Sequence, residues 1–229
     1  MDKKLIIYHG SINIIDSPIY GEGKKYNDYG LGFYCTEDIN LAKEWAVDID
    51  HDGYANKYEL KLTGLKVLNL KDFSVLNWIT ILLINRTFTI KSDISKIGKE
   101  YLIKHFLINY EDFDVIIGYR ADDSYFAYAE DFLNNSISLS RLSEALTLGN
   151  LGEQIVLKSK KAFNNLKFLG YEEAKKDVYY PLREKRNIDA RNKFLLNRKG
   201  VNLKDDLYLS DIIRGVGEND PRIRWKIFK

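Results

Sequence analysis

The chain has 229 residues, 45% hydrophobic and 30% charged, which excludes a disordered chain, and its three prolines exclude a Pro-rich linker. Its single cysteine, Cys35, excludes an internal disulfide and a cysteine-rich zinc module. The net charge of +2 is uneven: residues 155–229 hold 19 Lys and Arg against 10 Asp and Glu, and residues 1–154 hold 16 against 23.

The first apolar run, "KLIIYHG" at 4–10, predicts a strand ending in a Gly turn and is too short for a signal peptide. "SPIYGEGKKYNDYGLGF" at 17–33 follows, a long loop with four glycines. "TEDINLAKEWAVD" at 36–48 predicts a helix capped by Thr36, with Leu41, Trp45 and Val47 on its inner face. "GYANKYELKL" at 53–62 and "LKVLNL" at 65–70 alternate as strands. "SVLNWITILLINR" at 74–86 predicts a buried helix, and its apolar stretch is too short to span a membrane. We therefore expect a cytoplasmic protein with no membrane partner.

"ISKIGKEYLIKHFLINY" at 94–110 is helical, and "FDVIIGYRA" at 113–121 is β-branched and reads as an inner strand. "DDSYFAYAEDFLNN" and "SLSRLSEALTL" predict two more helices. "EQIVLKS" at 153–159 predicts a strand, "KKAFNNLKFL" at 160–169 a helix, and the chain from about 171 is helical and charged. Strands are scattered among helices without regular βαβ alternation, so the fold class is α+β rather than a doubly wound sheet. The basic last third fits either a nucleic-acid or acidic partner or the solvated surface of helices on an acidic core.

Familiar motifs are missing. "GEGKK" lacks the spacing of a phosphate-binding loop, and "YGLGFY" lacks the third glycine of a dinucleotide fingerprint. His9, His51 and His105 are far apart, so no metal site is expected, and Cys35 with a distant His is a poor signal for a nucleophile. Three other segments carry more: "YHGS" at 8–11, "YGLGFYCTEDINLAKEW" at 29–45 and "GNLGEQIVLKS" at 149–159.

Taken together, these segments resemble the ADP-ribosyltransferase superfamily, in the His-Tyr-Glu branch of diphtheria toxin and the poly(ADP-ribose) polymerases. The carrying matches are His9-Gly10-Ser11, the run Gly30 to Cys35 with Tyr34, Trp45 eleven residues later, and Glu153-Gln154-Ile155-Val156. Nearly the whole chain is also similar to an uncharacterised bacterial family of that clan. The features are "YHGS", "GLGFYCT", "VIIGYRADDSYF", "LGEQIVLKSKKA" and "YYPLREKRNIDAR". That likeness implies a toxin–antitoxin arrangement with a small cognate antitoxin. The resemblance also implies a split β-sandwich with surrounding helices. Residues 1–168 would form the NAD-binding core, and 169–229 a helical basic extension packed on the same domain.

The implied activity is transfer of ADP-ribose from NAD, a substrate here, to a macromolecular acceptor, protein or nucleic acid. Cleavage of the nicotinamide–ribose bond develops an oxocarbenium-like sugar, which a carboxylate stabilises. The resemblance gives Glu153 that role, Tyr34 and Trp45 the two faces of the nicotinamide ring, and His9 a ribose hydroxyl. The backbone of Gly10 would hold the carboxamide with one donor and one acceptor. Catalytic residues are then Glu153, His9 and Tyr34. Ser11, Gly32 and Thr36 join His9, Gly10, Tyr34 and Trp45 in binding NAD, and Gln154, Arg120, Asp122 and Asp123 stand at the acceptor side or rim.

Read alone, each residue has a plainer role. His9 is a core histidine, Trp45 a core aromatic, Glu153 an exposed Glu at a strand start, and Asp122 or Asp123 a helix cap. Arg183, Arg186 and Arg191 read as a solvated face or as a phosphate grip. Ala42 stands where the polymerases have a Ser, so Ser11 or Thr36 would have to compensate. Alternation lets only one of Glu153 and Gln154 face the ribose. Two other functions fit this sequence: a catalytically silent NAD- or partner-binding module, nucleic-acid-associated in one version, and an NAD glycohydrolase.

Overall fold

The computed structural model describes residues 3–121, 123–148, 152–198, 206–215 and 220–223. The architecture is mixed α+β, with two sheets and several helices. The chain forms two compact units. One comprises Met1–Asn69, Tyr110–Tyr119 and Leu151–Asn187, and the other Leu70–Asn109, Arg120–Asn150 and Ile188–Lys229.

The first unit holds both sheets. Strands β1 (Lys4–Ser11), β3 (Gly53–Lys61) and β7 (Leu166–Ala174) form one, in the order β1-β3-β7, antiparallel throughout. Strands β2 (Phe33–Cys35), β6 (Glu153–Leu157), β5 (Val115–Tyr119) and β4 (Val67–Asn69) form the other, in the order β2-β6-β5-β4. The two sheets meet at one bridge, Tyr8 to Thr36. Ile7, Tyr58 and Leu60 of the first sheet share a core with Cys35, Val115, Ile155 and Leu157 of the second. Burying each such aliphatic side chain contributes about 2 kcal/mol.

Helix α1 (Ile39–Ala46) lies against β1 and β3. Its cap is Asp38 rather than Thr36. The Asp38 carboxylate accepts from the N–H groups of Asn40 (2.8 Å) and Leu41 (3.2 Å). Thr36 is committed elsewhere: its backbone pairs with Tyr8, and its Oγ1 accepts from Asp38 N–H at 3.2 Å. Helix α6 (Lys160–Asn164) is half the length that the sequence predicts. Asn165 ends it, because its amide donates to the carbonyl of Lys61 at 2.9 Å and its own carbonyl accepts from Lys61 N–H at 3.1 Å. The chain turns there into β7, which runs through the expected 168/169 boundary. Helix α7 (Lys176–Arg198) follows, and its residues up to Asn187 belong to this unit.

The second unit is helical. It contains α2 (Val75–Asn85), α3 (Asp93–Phe106), α4 (Asp123–Leu133), α5 (Leu139–Leu148) and α8 (Leu209–Ile213). Ser74 caps α2 in a reciprocal box with Asn77, and Ser92 caps α3. Buried α2 residues include Trp78, Ile79 and Leu82, as its uniform apolarity predicts. Gly98 lets α8 approach α3: a Cβ there would stand 2.4 Å from Leu209 Cδ2. Among the described residues, no helix is long and apolar enough to cross a membrane.

Candidate functional site

The site begins where β1 and β2 part. Tyr8 bonds Thr36 with both its N–H and its C=O, at 2.9 Å or less, so these groups point away from β3. Two residues on, the N–H and C=O of Gly10 point the same way. They have no hydrogen-bond partner among the described residues. A donor and an acceptor thus stand side by side on a half-buried strand edge, the pattern that a carboxamide completes.

His9 faces the opposite side of β1, with Ile7. Its ring stacks on Phe33 (centroids 4.3 Å apart), and Nδ1 lies 2.7 Å from the carbonyl oxygen of Tyr34. A carbonyl only accepts, so Nδ1 carries the proton and Nε2 is left as an acceptor for a hydroxyl. Desolvation by burial pulls the His9 pKa below its ordinary 6.5, and the bond to Tyr34 opposes this only in part. The folded ring is therefore neutral where the unfolded ring is already protonated, between 6.5 and its lower folded value. Its contribution to stability is whole above pH 6.5 and is lost as pH falls through that window. The urea midpoint of wild type is expected to fall from pH 7 to pH 5.5, above the carboxylate range, and less so in His9→Gln. Equal slopes would refute a neutral, buried His9.

Helix α1 forms one wall. A Cβ at Gly10 would meet the carbonyl oxygen of Ala42 at 2.1 Å and Trp45 Cβ at 2.9 Å. At Gly53 on β3 a Cβ would meet the carbonyl oxygen of Ala46, again at 2.1 Å. Glycine at both points lets α1 seat on the strands, which brings Trp45, itself half-buried, beside Gly10.

Tyr34 lies on the face of β2 opposite the buried Cys35, the face that Gly10 and α1 also share. Its hydroxyl donates to the carbonyl of Gly30 at 2.6 Å and accepts from Tyr29 N–H at 3.1 Å. The loop that holds it is tied down in turn. Lys158 Nζ donates to the carbonyl of Tyr29 (2.6 Å), Tyr29 Oη donates to that of Tyr119 (2.6 Å), and Gln154 Nε2 donates to Asp28 Oδ2 (2.9 Å). Burial lowers the Lys158 pKa, opposed by Glu111 at 3.6 Å. Gly32 sits against β6, where a Cβ would stand 2.6 Å from Val156 Cγ1. Its glycine serves this packing.

The alternation at the start of β6 is resolved. Gln154 is buried and bonded to Asp28, so it is neither a rim residue nor an acceptor contact. Glu153 is half-buried and lines a cavity of about 690 Å³ with Glu37, Lys3, Thr63, Asn69 and Ile117. It lies three residues along β6 from Val156, the partner of Tyr34, or about 10 Å. Alternation puts it on the face of Ile155, away from Tyr34. His9, Gly10, Tyr34 and Trp45 thus gather at the β1–β2 junction, and Glu153 faces the cavity, whose lining includes none of these four.

The remaining expected residues scatter. Ser11 Oγ accepts from Asn13 N–H at 3.2 Å. Arg120 is half-buried and belongs to the second unit. Asp122 lies outside the described residues, as does the side chain of Asp123, which opens α4. Sequence reasoning missed Asn56, wholly buried on β3. Its amide donates to the carbonyl of Asn13 at 3.1 Å and accepts from Ile15 N–H at 2.9 Å, fixing the chain beyond Gly10. It also missed Lys158, although a lysine closing the apolar run "IVL" is a visible signal.

A family model described as a protein of unknown function (DUF3990) matches residues 5–168, and the chain belongs to that family. No curated protein matches the chain. No solved structure matches it either.

Proposed function

We propose that the protein transfers ADP-ribose from NAD to a macromolecular acceptor, acting as a bacterial toxin or defence effector whose partner is a small antitoxin. The observation that carries this reading is the Gly10 backbone edge, whose donor and acceptor have no partner among the described residues, with Trp45 packed beside it and Tyr34 on the neighbouring strand. The nicotinamide carboxamide would pair with that edge, and its ring would stack on the two aromatics. Neutral His9 would accept from a ribose hydroxyl. Glu153 would meet the ribose from the cavity side and steady its developing positive charge. A ligand lying in the split between β1 and β2 meets both faces, which suits His9 and Glu153 on one side and Tyr34 on the other. The division into two sheets at this junction accords with a split β-sandwich of the ADP-ribosyltransferase kind.

One observation favours a silent NAD-binding module instead: the cavity that Glu153 lines is walled by Lys3, Glu37, Asn69 and Ile117 and by none of His9, Gly10, Tyr34 and Trp45. Purified protein, incubated with adenylate-labelled NAD and bacterial lysate, distinguishes the readings. The expected result is nicotinamide release with label on a macromolecule, and protease and nuclease sensitivity then name its class. Release without macromolecular label marks a glycohydrolase, and binding without release marks the silent module. Failure to bind NAD overturns the NAD reading altogether.

A further inference from the structure

We infer that Arg186, beyond the family-matched residues, is a positioning residue for the nicotinamide pocket, acting on Trp45 through Glu44. This rests on the NAD reading above. Glu44 precedes Trp45 on α1, and its side chain is only 5% exposed. Arg186 on α7 grips it with two bonds, Nε to Oε2 at 2.7 Å and Nη2 to Oε1 at 2.8 Å. Such a fork fixes direction as well as distance, which a lysine in the same place does not.

The grip is part of a wider brace from the same stretch of chain. Lys43 Nζ bonds Glu172 of β7 at 2.8 Å and lies over the ring of Tyr179, 5.4 Å from its centroid. Arg183 donates to the carbonyl of Val47, just past the end of α1, at 2.8 Å. Ala46 and Val47 pack with Ala174, Tyr179 and Tyr180. On its other side α1 is seated on Gly10 and Gly53. The helix has enough anchors to stay folded without the Arg186 fork. The fork instead sets the roll of the turn that presents Trp45 beside Gly10, with Arg183 and Arg186 both turned toward α1 to do it.

The test uses the full chain with Arg186→Lys, the charge swap Glu44→Arg with Arg186→Glu, and the apolar pair Glu44→Leu with Arg186→Leu. The apolar pair removes both charges, so no buried charge is left alone if the lysine variant folds poorly. NAD affinity is measured by calorimetry, kcat and KM by nicotinamide release, and Tm alongside. The expected result is a rise in Kd and KM of about tenfold for Arg186→Lys and for the apolar pair. Their kcat stays within twofold and their Tm within a few degrees, and the charge swap recovers part of the loss. Unchanged NAD affinity in folded variants overturns the positioning role, and so does a parallel fall of Tm, kcat and affinity. If wild type binds no NAD, the NAD reading fails and takes this role with it. If wild type binds and the variants bind equally, only the role of Arg186 fails.

Discussion

Glu153→Gln is expected to bind NAD within a few-fold of wild type and to release nicotinamide about a thousandfold more slowly. The substitution keeps the size of the side chain and an oxygen that accepts a hydrogen bond. It removes the negative charge and turns one acceptor oxygen into an NH2 donor. In the ground state the positive charge sits on the nicotinamide ring rather than on the ribose, so the carboxylate contributes less to binding than to the transition state. As the glycosidic bond stretches the sugar becomes cationic, and a carboxylate in a water-poor site then stabilises it by about 3–4 kcal/mol. An interaction made only in the transition state lowers kcat without raising KM, and single-turnover release against an NAD titration separates the two. Turnover at the wild-type rate would remove Glu153 from the chemistry. The next carboxylate to replace would then be Glu37, which lines the same cavity.

The parts of this fold that were legible in the sequence are those set by local pattern. β1, β3, β5 and β6 follow from alternation or from unbroken β-branched runs, and α2 from its uniform apolarity. β7 was not legible. It is an edge strand whose register on β3 shifts between Lys57 and Tyr58, so Leu169 is an extra residue and the alternation breaks. The cap of α1 was misread because Thr36 and Asp38 are both good caps. Only the bridge to Tyr8, a contact across the chain, decides between them.

The candidate site shows the same division. The residue types at 9, 10, 34, 45 and 153 could be picked out by resemblance, but not the reason for each. Gly32 reads as part of a ligand loop, and its packing against Val156 is visible only in the fold. Arg183 and Arg186 look like a solvated face, and both point inward to α1. The partner of Arg186 is 142 residues away in sequence, and nothing near Arg186 announces a buried carboxylate. Long-range pairs of this kind are set by how elements dock, which no local pattern encodes.

Gly10→Ala is expected to destabilise the first unit by about 3 kcal/mol and to weaken NAD binding at least tenfold. The added methyl would stand 2.1 Å from the carbonyl oxygen of Ala42 and 2.9 Å from the amide nitrogen of Ala46. Both are backbone atoms of α1, so no side chain can rotate to make room. The helix itself must move, by more than an ångström at Ala42. Its other seat, Ala46 on Gly53, is as close, so α1 cannot slide along the strands to escape. Overpacking against a rigid neighbour costs at the upper end of the usual 1–3 kcal/mol. For a chain of this size that is a fall in Tm of roughly 10 °C. The substitution leaves the N–H and C=O of residue 10 in place, so loss of NAD binding would come through Trp45, carried off with α1. Thermal unfolding and NAD titration of the same sample read both effects. A Tm within about 2 °C of wild type would mean that α1 yields easily, and Gly10 would then owe its identity to the ligand side of the strand alone.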